Sequence, residues 1–225
     1  MRAYWYTDNP KSTYGNVGDM LTPIIIEHFT GNKPEYVSAN TPGKLLACGS
    51  VAEFIQDGDT VWGSGIIQPM QLDKSNRVNI LAVRGKLTAR QLRSVGYDVP
   101  EVYGDPAVLM PEIYHPIPKP KYYSIGYMPH YIEADAWHKA FGLTKPYLNV
   151  INEPKHFIDE MLKCHKIITS SLHAYILAQA YGIQAEYLQL TSKIIGGYFK
   201  YEDYISGRGD TEKFKEVFKM WCKTH

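Results

Sequence analysis

Cysteine is scarce in this chain, and that scarcity narrows the reading at once. Cys48, Cys164 and Cys222 are odd in number, far apart and without C-x-x-C spacing. They exclude a disulfide framework and a cysteine-based zinc site and point to reduced thiols in a cytoplasmic protein. No apolar run approaches the roughly 18 residues of a membrane-spanning helix, and the opening R-A-Y-W-Y-T reads as a strand without the layout of a secretory signal. Charge of one sign is lacking too: 24 Lys and Arg against 23 Asp and Glu leave a formal +1, so no nucleic acid or other polyanion is implied as a partner. The histidines and cysteines form no ligand cluster, so no metal is expected. Gly63-Ser64-Gly65 lacks the third glycine of a dinucleotide fingerprint, and no G-K-[ST] follows it, which removes a bound dinucleotide and a P-loop.

What is abundant is tyrosine, 18 residues in a chain that is 13% aromatic. Such side chains suit sugars, which present apolar faces and hydroxyls together, and they also fill cores with a polar tip. Strands alternate with helices along the chain. Ala3 to Tyr6 reads as a strand, Asn16 to Asp19 as a turn, and Met20 to Phe29 as a helix with Pro23 tolerated in its first turn. Strands follow at Tyr36-Val37, Leu45 to Cys48, Val61-Trp62 and Val78 to Val83, then a helix from Lys86 to Val95 that Gly96 stops. The segment P-E-I-Y-H-P-I-P-K-P-K, residues 111–121, is too rich in proline for helix or sheet and reads as a linker. Beyond it come a strand at Tyr123 to Tyr127, a helix at Ala134 to Phe141, a strand at Tyr147 to Ile151 and a helix at Pro154 to Cys164. An Ile167 strand, the helix of His173 and a strand at Ala185 to Leu188 complete the series. The expectation is an α/β protein with parallel sheets, residues 1–110 forming one half and 122–225 the other, with a ligand cleft between them. Thr211 to Lys223 closes the chain as a basic amphipathic helix whose Phe214, Val217, Phe218 and Trp221 share one face. That face docks on the core or, alternatively, lies on an anionic membrane surface.

The chemistry concentrates at strand ends. Ile167 to Thr169 reads as a buried strand and Ser170 or Ser171 as the N-cap of the next helix, which puts His173 in its first turn. In open α/β sheets the carboxyl edge is where ligands bind, and a helix start favours an anion. Against that, Ile176, Leu177 and Ala180 follow at helical spacing, so His173 reads equally as a core residue. Gly63, Ser64 and Gly65 after a strand either expose amides to an anion or make an ordinary turn. Arg84, at another strand end, either clamps an oxyanion or begins a helix in solvent.

The motifs N-x-G-D at Asn16 to Asp19, G-S-G at Gly63 to Gly65 and V-R-G with a threonine at Val83 to Thr88 stand in order. G-D-P-A at Gly104 to Ala107, S-x-L-H-A at Ser170 to Ala174 and F-K-Y-E-D-Y at Phe199 to Tyr204 follow them. Together they resemble the polysaccharide pyruvyl transferase family, with Ser171 standing where many relatives have arginine. The resemblance implies a compact GT-B-like fold of two Rossmann-like halves. It also implies transfer of pyruvate from phosphoenolpyruvate, a co-substrate rather than a cofactor, to a sugar of a capsular or other exopolysaccharide or its lipid-linked precursor. In those terms His173 is the general acid and Asp19 or Asp105 the base, while Asn16, Gly63, Ser64, Gly65, Arg84, Ser170, Ser171 and Lys200 bind substrate. The expected place of work is the cytoplasm or, for a lipid-linked acceptor, the inner face of the membrane. A sugar-nucleotide-dependent GT-B glycosyltransferase and an inactive sugar-binding protein are the alternatives.

Overall fold

The computed structural model describes residues 1–7, 15–71, 77–117, 120–142 and 146–224. In chain order the elements are β1 (Arg2–Tyr4), β2 (Gly15–Asn16), α1 (Leu21–Thr30), β3 (Glu35–Tyr36), β4 (Leu45–Leu46), β5 (Thr60–Trp62), β6 (Asn79–Ala82), α2 (Lys86–Ser94) and α3 (Met110–Ile113). They continue as β7 (Tyr123–Met128), α4 (Ala134–Phe141), β8 (Ile151–Asn152), α5 (Pro154–Met161), β9 (Cys164–Thr169), α6 (Leu172–Ala180), β10 (Gln184–Tyr187), α7 (Gly197–Gly207) and α8 (Thr211–Cys222). The β-then-α alternation has produced the α/β class with parallel sheets that it implies.

The chain forms two compact units, and both are discontinuous. The first comprises Met1–Tyr6, Thr22–Pro106 and Tyr198–His225; the second comprises Thr7–Leu21 and Ala107–Gly197. These lines differ from a division at the proline-rich segment, because the C-terminal helices return to the sheet of the first unit. Phe214 and Phe218 of α8 are fully buried and stack on Trp62 of β5, with ring centroids 4.9 and 3.8 Å away. The Trp62 indole N–H donates to the Phe214 carbonyl at 3.0 Å. The apolar stripe of α8 is thus taken up by its own sheet.

The first unit holds a five-stranded parallel sheet in the order β3-β1-β4-β5-β6. Its strands are short and apolar on both faces: Leu45, Leu46, Val61 and Trp62 are all essentially inaccessible, as a parallel sheet covered by helices requires. On one flank Lys44 and Asp59 are a fully buried ion pair, N to O 2.5 Å, with Phe54 O accepting a second bond from the ammonium. Burial pulls the Lys44 ammonium below its ordinary pKa, and its hydrogen bond and attraction to Asp59 partly offset this.

The second unit holds a three-stranded parallel sheet, β10-β9-β7, and an antiparallel pair, β2-β8. Helix α6, with Leu172, Ala174, Tyr175, Ile176, Leu177 and Ala178 all buried, is apolar nearly all round, as a central helix must be. Three expectations need correction here. Tyr147 to Ile151 is not a strand of the parallel sheet: Tyr147 makes a single bridge to Tyr127, and Ile151 pairs antiparallel with Asn16. The helix that begins at Pro154 ends at Met161, and Cys164 already opens β9. Pro111 to Ile113 are helical, since proline in the first turn of α3 costs no hydrogen bond. That turn is held by the Tyr181 hydroxyl, whose one proton is shared between the Met110 and Tyr114 carbonyls, 3.1 and 2.8 Å away. Two residues of the same stretch, Pro118 and Lys119, lie outside the described residues.

Candidate functional site

Strand β9 delivers the chain to α6 through a set of local hydrogen bonds. The Thr169 hydroxyl donates to Met128 O at 2.5 Å and accepts the Ser171 amide at 2.9 Å, joining the ends of β9 and β7. Ser171 is the N-cap, extended and accepting the Ala174 amide. His173 follows in the first turn, half-buried, at the carboxyl edge of the three-stranded sheet.

The turn Asn16-Val17-Gly18-Asp19 lies directly on this imidazole. A Cβ built on Gly18 would overlap Nδ1, Cγ and Cβ of His173, so only glycine lets the backbone come this close. The turn is pinned from three sides. Asn16 Oδ1 accepts the Gly18 amide at 3.0 Å, Asn16 O accepts the Met20 amide at 3.1 Å, and Val150 O accepts the Val17 amide at 2.8 Å. Asn16 therefore shapes the turn with its side chain, and Asp19, half-buried, is the ionisable group that the turn carries. Residues some 150 positions apart in sequence, N-x-G-D and S-x-L-H-A, are brought into contact within one unit.

Behind His173 lies a polar network that sequence reasoning missed. Ser170 Oγ accepts the His130 amide at 2.9 Å and bonds to Glu133. Glu133 is fully buried and also accepts the Leu190 amide, the Thr191 amide and hydroxyl, and the Trp137 indole N–H. Burial pushes this carboxyl up, but the bonds from Thr191, Ser170 and Trp137 outweigh it and hold the group below its usual range. Ser170 and Ser171 are 0% and 3% exposed, their hydroxyls engaged with His130 and Glu133 and with the cap of α6. His130 had a signal, standing just past the end of β7 at the same sheet edge as His173. Glu133 had none, because the partner that marks it is Thr191, 58 positions away.

The remaining expected residues belong to the first unit. Arg84 is fully buried: Nε donates to Asp203 at 3.0 Å, one terminal nitrogen to Ser50 Oγ at 2.7 Å and the other to Ile66 O at 2.8 Å. The guanidinium lies so close over Gly65 that a Cβ there would fall on it. Gly63 has a φ of 83°, reachable by glycine, and its amide donates to Ala82 O; the Gly65 amide donates to Gly49 O. The Ser64 hydroxyl accepts from Val51 N and donates to Gly49 O. The G-S-G amides at 63 and 65 thus serve carbonyls instead of an anion. Asp105 is fully buried beside the turn at Pro106–Leu109. Lys200, 8% exposed, sits on α7 three residues before Asp203. Among the described residues no group of three or more His, Cys, Asp or Glu side chains is arranged to hold a metal ion, and no helix is long and apolar enough to cross a membrane.

No solved structure matches this chain. An uncharacterized protein, L143, of Acanthamoeba polyphaga mimivirus is 24% identical over 218 residues, covering 92% of this chain and 75% of the viral protein. The family model described as polysaccharide pyruvyl transferase matches residues 16–185, from the asparagine of the turn on His173 to the start of β10. That span is most of the chain and includes both halves of the His173 contact, and by it the chain belongs to the polysaccharide pyruvyl transferase family.

Proposed function

We propose that the chain transfers pyruvate from phosphoenolpyruvate to two hydroxyls of a sugar, forming a cyclic ketal and releasing phosphate. The observation that supports the reading is the Asn16–Asp19 turn seated on the His173 imidazole, so that an imidazole and the turn carrying Asp19 adjoin at the kind of sheet edge where ligands bind. In this scheme His173 protonates the methylene carbon of the enol, making the neighbouring carbon electrophilic; an imidazole holds and gives a proton near neutral pH. One sugar hydroxyl adds there, phosphate leaves, and a second hydroxyl closes the ketal. Of the two hydroxyl protons, one replaces that given by His173 and the other leaves with phosphate. Asp19 is the base of choice over Asp105, which is wholly buried. Arg84, fully buried and bonded through all three nitrogens to Asp203, Ser50 and Ile66, is read as framework instead of a donor clamp. The start of α6, with its dipole, is the favoured anion contact. A GT-B-like pairing of Rossmann-like halves and a lipid-linked acceptor worked on at the inner membrane face are parts of the same proposal.

The test is run in heavy water with a candidate glycan and phosphoenolpyruvate. Mass spectrometry should show a gain of one pyruvate less one water, and the new methyl should carry deuterium, because its third hydrogen comes from an exchanging acid. His173→Gln should fold and lose turnover by roughly a hundredfold or more. An unlabelled methyl in wild-type product would refute the protonation step, and full activity of the variant would assign the proton to another group.

A further inference from the structure

A second concave feature lies in the first unit, formed by α2 and the connection from α7 to α8. It is a surface cavity of about 630 Å³, within the range of small-molecule sites. Lys86, Arg90 and Arg93 line it from α2 at spacings of four and three, so they share the outer face of the helix while Thr88, Ala89 and Leu92 pack inward. Arg208 and Lys213 face them from the other wall, and Tyr103 contributes a half-buried ring. All five cations are exposed, and Arg93 also donates through Nε and one terminal nitrogen to Val99 O at 3.2 and 2.6 Å. The two acids on the lining are Glu101 and Asp210, and the Asp210 carboxylate is occupied in capping α8 through the Lys213 amide at 2.9 Å. A chain of formal charge +1 thus gathers a marked positive surplus in one pocket.

The two walls are held together by backbone contact. A Cβ on Gly85 or on Gly207 would run into the backbone of the other segment, at Asp203 and at Arg84 respectively. The Lys86 amide donates to Ser206 Oγ at 3.0 Å. The two segments that carry the cations are therefore packed backbone to backbone, and their cations line one cavity. From Lys86 to Arg93 is seven residues, about 10 Å of helix, longer than a single phosphate and suited to two in series. Tyr103 adds a surface on which a sugar or base ring can lie.

We propose that this pocket binds the diphosphate group of a phosphate ester, contributed by either a soluble nucleoside diphosphate or a membrane lipid diphosphate. It does not depend on His173 or on the pyruvyl-transfer reading. The experiment uses the full chain and titration calorimetry in three arms. The probes are inorganic pyrophosphate, uridine diphosphate, and phosphatidylcholine vesicles carrying farnesyl diphosphate. Pyrophosphate and at least one ester should bind, more weakly as salt rises. Uridine diphosphate binding identifies a soluble source, and vesicle binding a lipid one. The paired charge reversal Arg90→Glu with Lys213→Glu should weaken binding tenfold or more, whereas Lys33→Glu, on the same unit outside the pocket, should stay within twofold. Both reversed positions are exposed, and a circular dichroism melt checks that the fold is kept. If it is lost, Arg90→Gln with Lys213→Gln takes the place of the reversed pair, with a threefold or greater loss expected. Absence of binding in every arm, binding of pyrophosphate without either ester, or full affinity in the neutralised or reversed pair overturns the proposal.

Discussion

A methyl group at Gly18 has nowhere to go, because the space it needs is the His173 imidazole. We expect Gly18→Ala to leave the protein folded and displace the ring. A misplacement of about 1 Å costs on the order of a hundredfold in rate, readable as phosphate released from phosphoenolpyruvate. Wild-type turnover in that variant would separate the ring's position from the chemistry. Arg84 makes the opposite case, a residue whose chemistry looks functional and whose surroundings are structural. Asp203 takes the guanidinium on one oxygen and the Thr88 hydroxyl and amide across both, all out of solvent. Each of Arg84→Met and Asp203→Asn leaves one buried charge without its partner and should cost about 3–5 kcal/mol. Made together they should cost less than the sum, since the introduced side-chain amide would still accept from Thr88 and no lone charge remains. Urea unfolding of the four proteins gives the coupling, and strict additivity would mean that the pair is not a unit.

At the scale of elements, the buried Glu133 ties the turn before α4 to the segment after β10 and, through Ser170, to the start of α6. Its folded pKa lies below the unfolded value of about 4.3, so the stability it adds is fully present above that value and is lost as pH falls through the folded one. Stability should therefore decline as pH falls below that unfolded value. Glu133→Gln should lose about 1–3 kcal/mol at neutral pH, from donors left poorly satisfied, and show a flatter acid limb. An unchanged acid limb would place the titrating group elsewhere. Elements with local signals were readable in advance: α4 is bounded by Gly142 in the left-handed region, α2 by Gly96, and α6 by its serine cap. Helix α7 was not, since it has glycine at both ends, tyrosines scattered round it and no strong apolar face. The same limit applies to the site. His173 and the Asn16–Asp19 turn could be singled out by residue type and place, but that they touch depends on the β2-β8 pairing, which neither short strand announces.

For the whole molecule, the deepest difference between pattern and fold is what closes the first sheet. Residues 1–110 contain every strand of that sheet and read as a self-contained half. Yet Trp62 has its stacking partners at Phe214 and Phe218, its hydrogen-bond acceptor 152 positions away, and Arg84 its counter-charge 119 positions away. The apolar stripe of α8 shows in its periodicity, but nothing local names Trp62 as its partner or Asp203 as that of Arg84. Removing a buried phenylalanine ring costs about 3–5 kcal/mol, and two such losses rival the roughly 5–15 kcal/mol that typically holds a domain together. We therefore expect the fragment 1–110 to be unfolded or molten when made alone, with collapsed amide dispersion in its nitrogen–proton NMR spectrum. Adding the peptide 198–225 in trans should restore dispersed resonances for β5 and β6, because it brings back both the aromatic cover and Asp203. The same peptide carrying Phe214→Ala and Phe218→Ala should fail to do so. A fragment 1–110 that gives a dispersed spectrum unaided would show that its sheet closes without α7 and α8, and the boundary drawn from the proline-rich segment would then be the physical one.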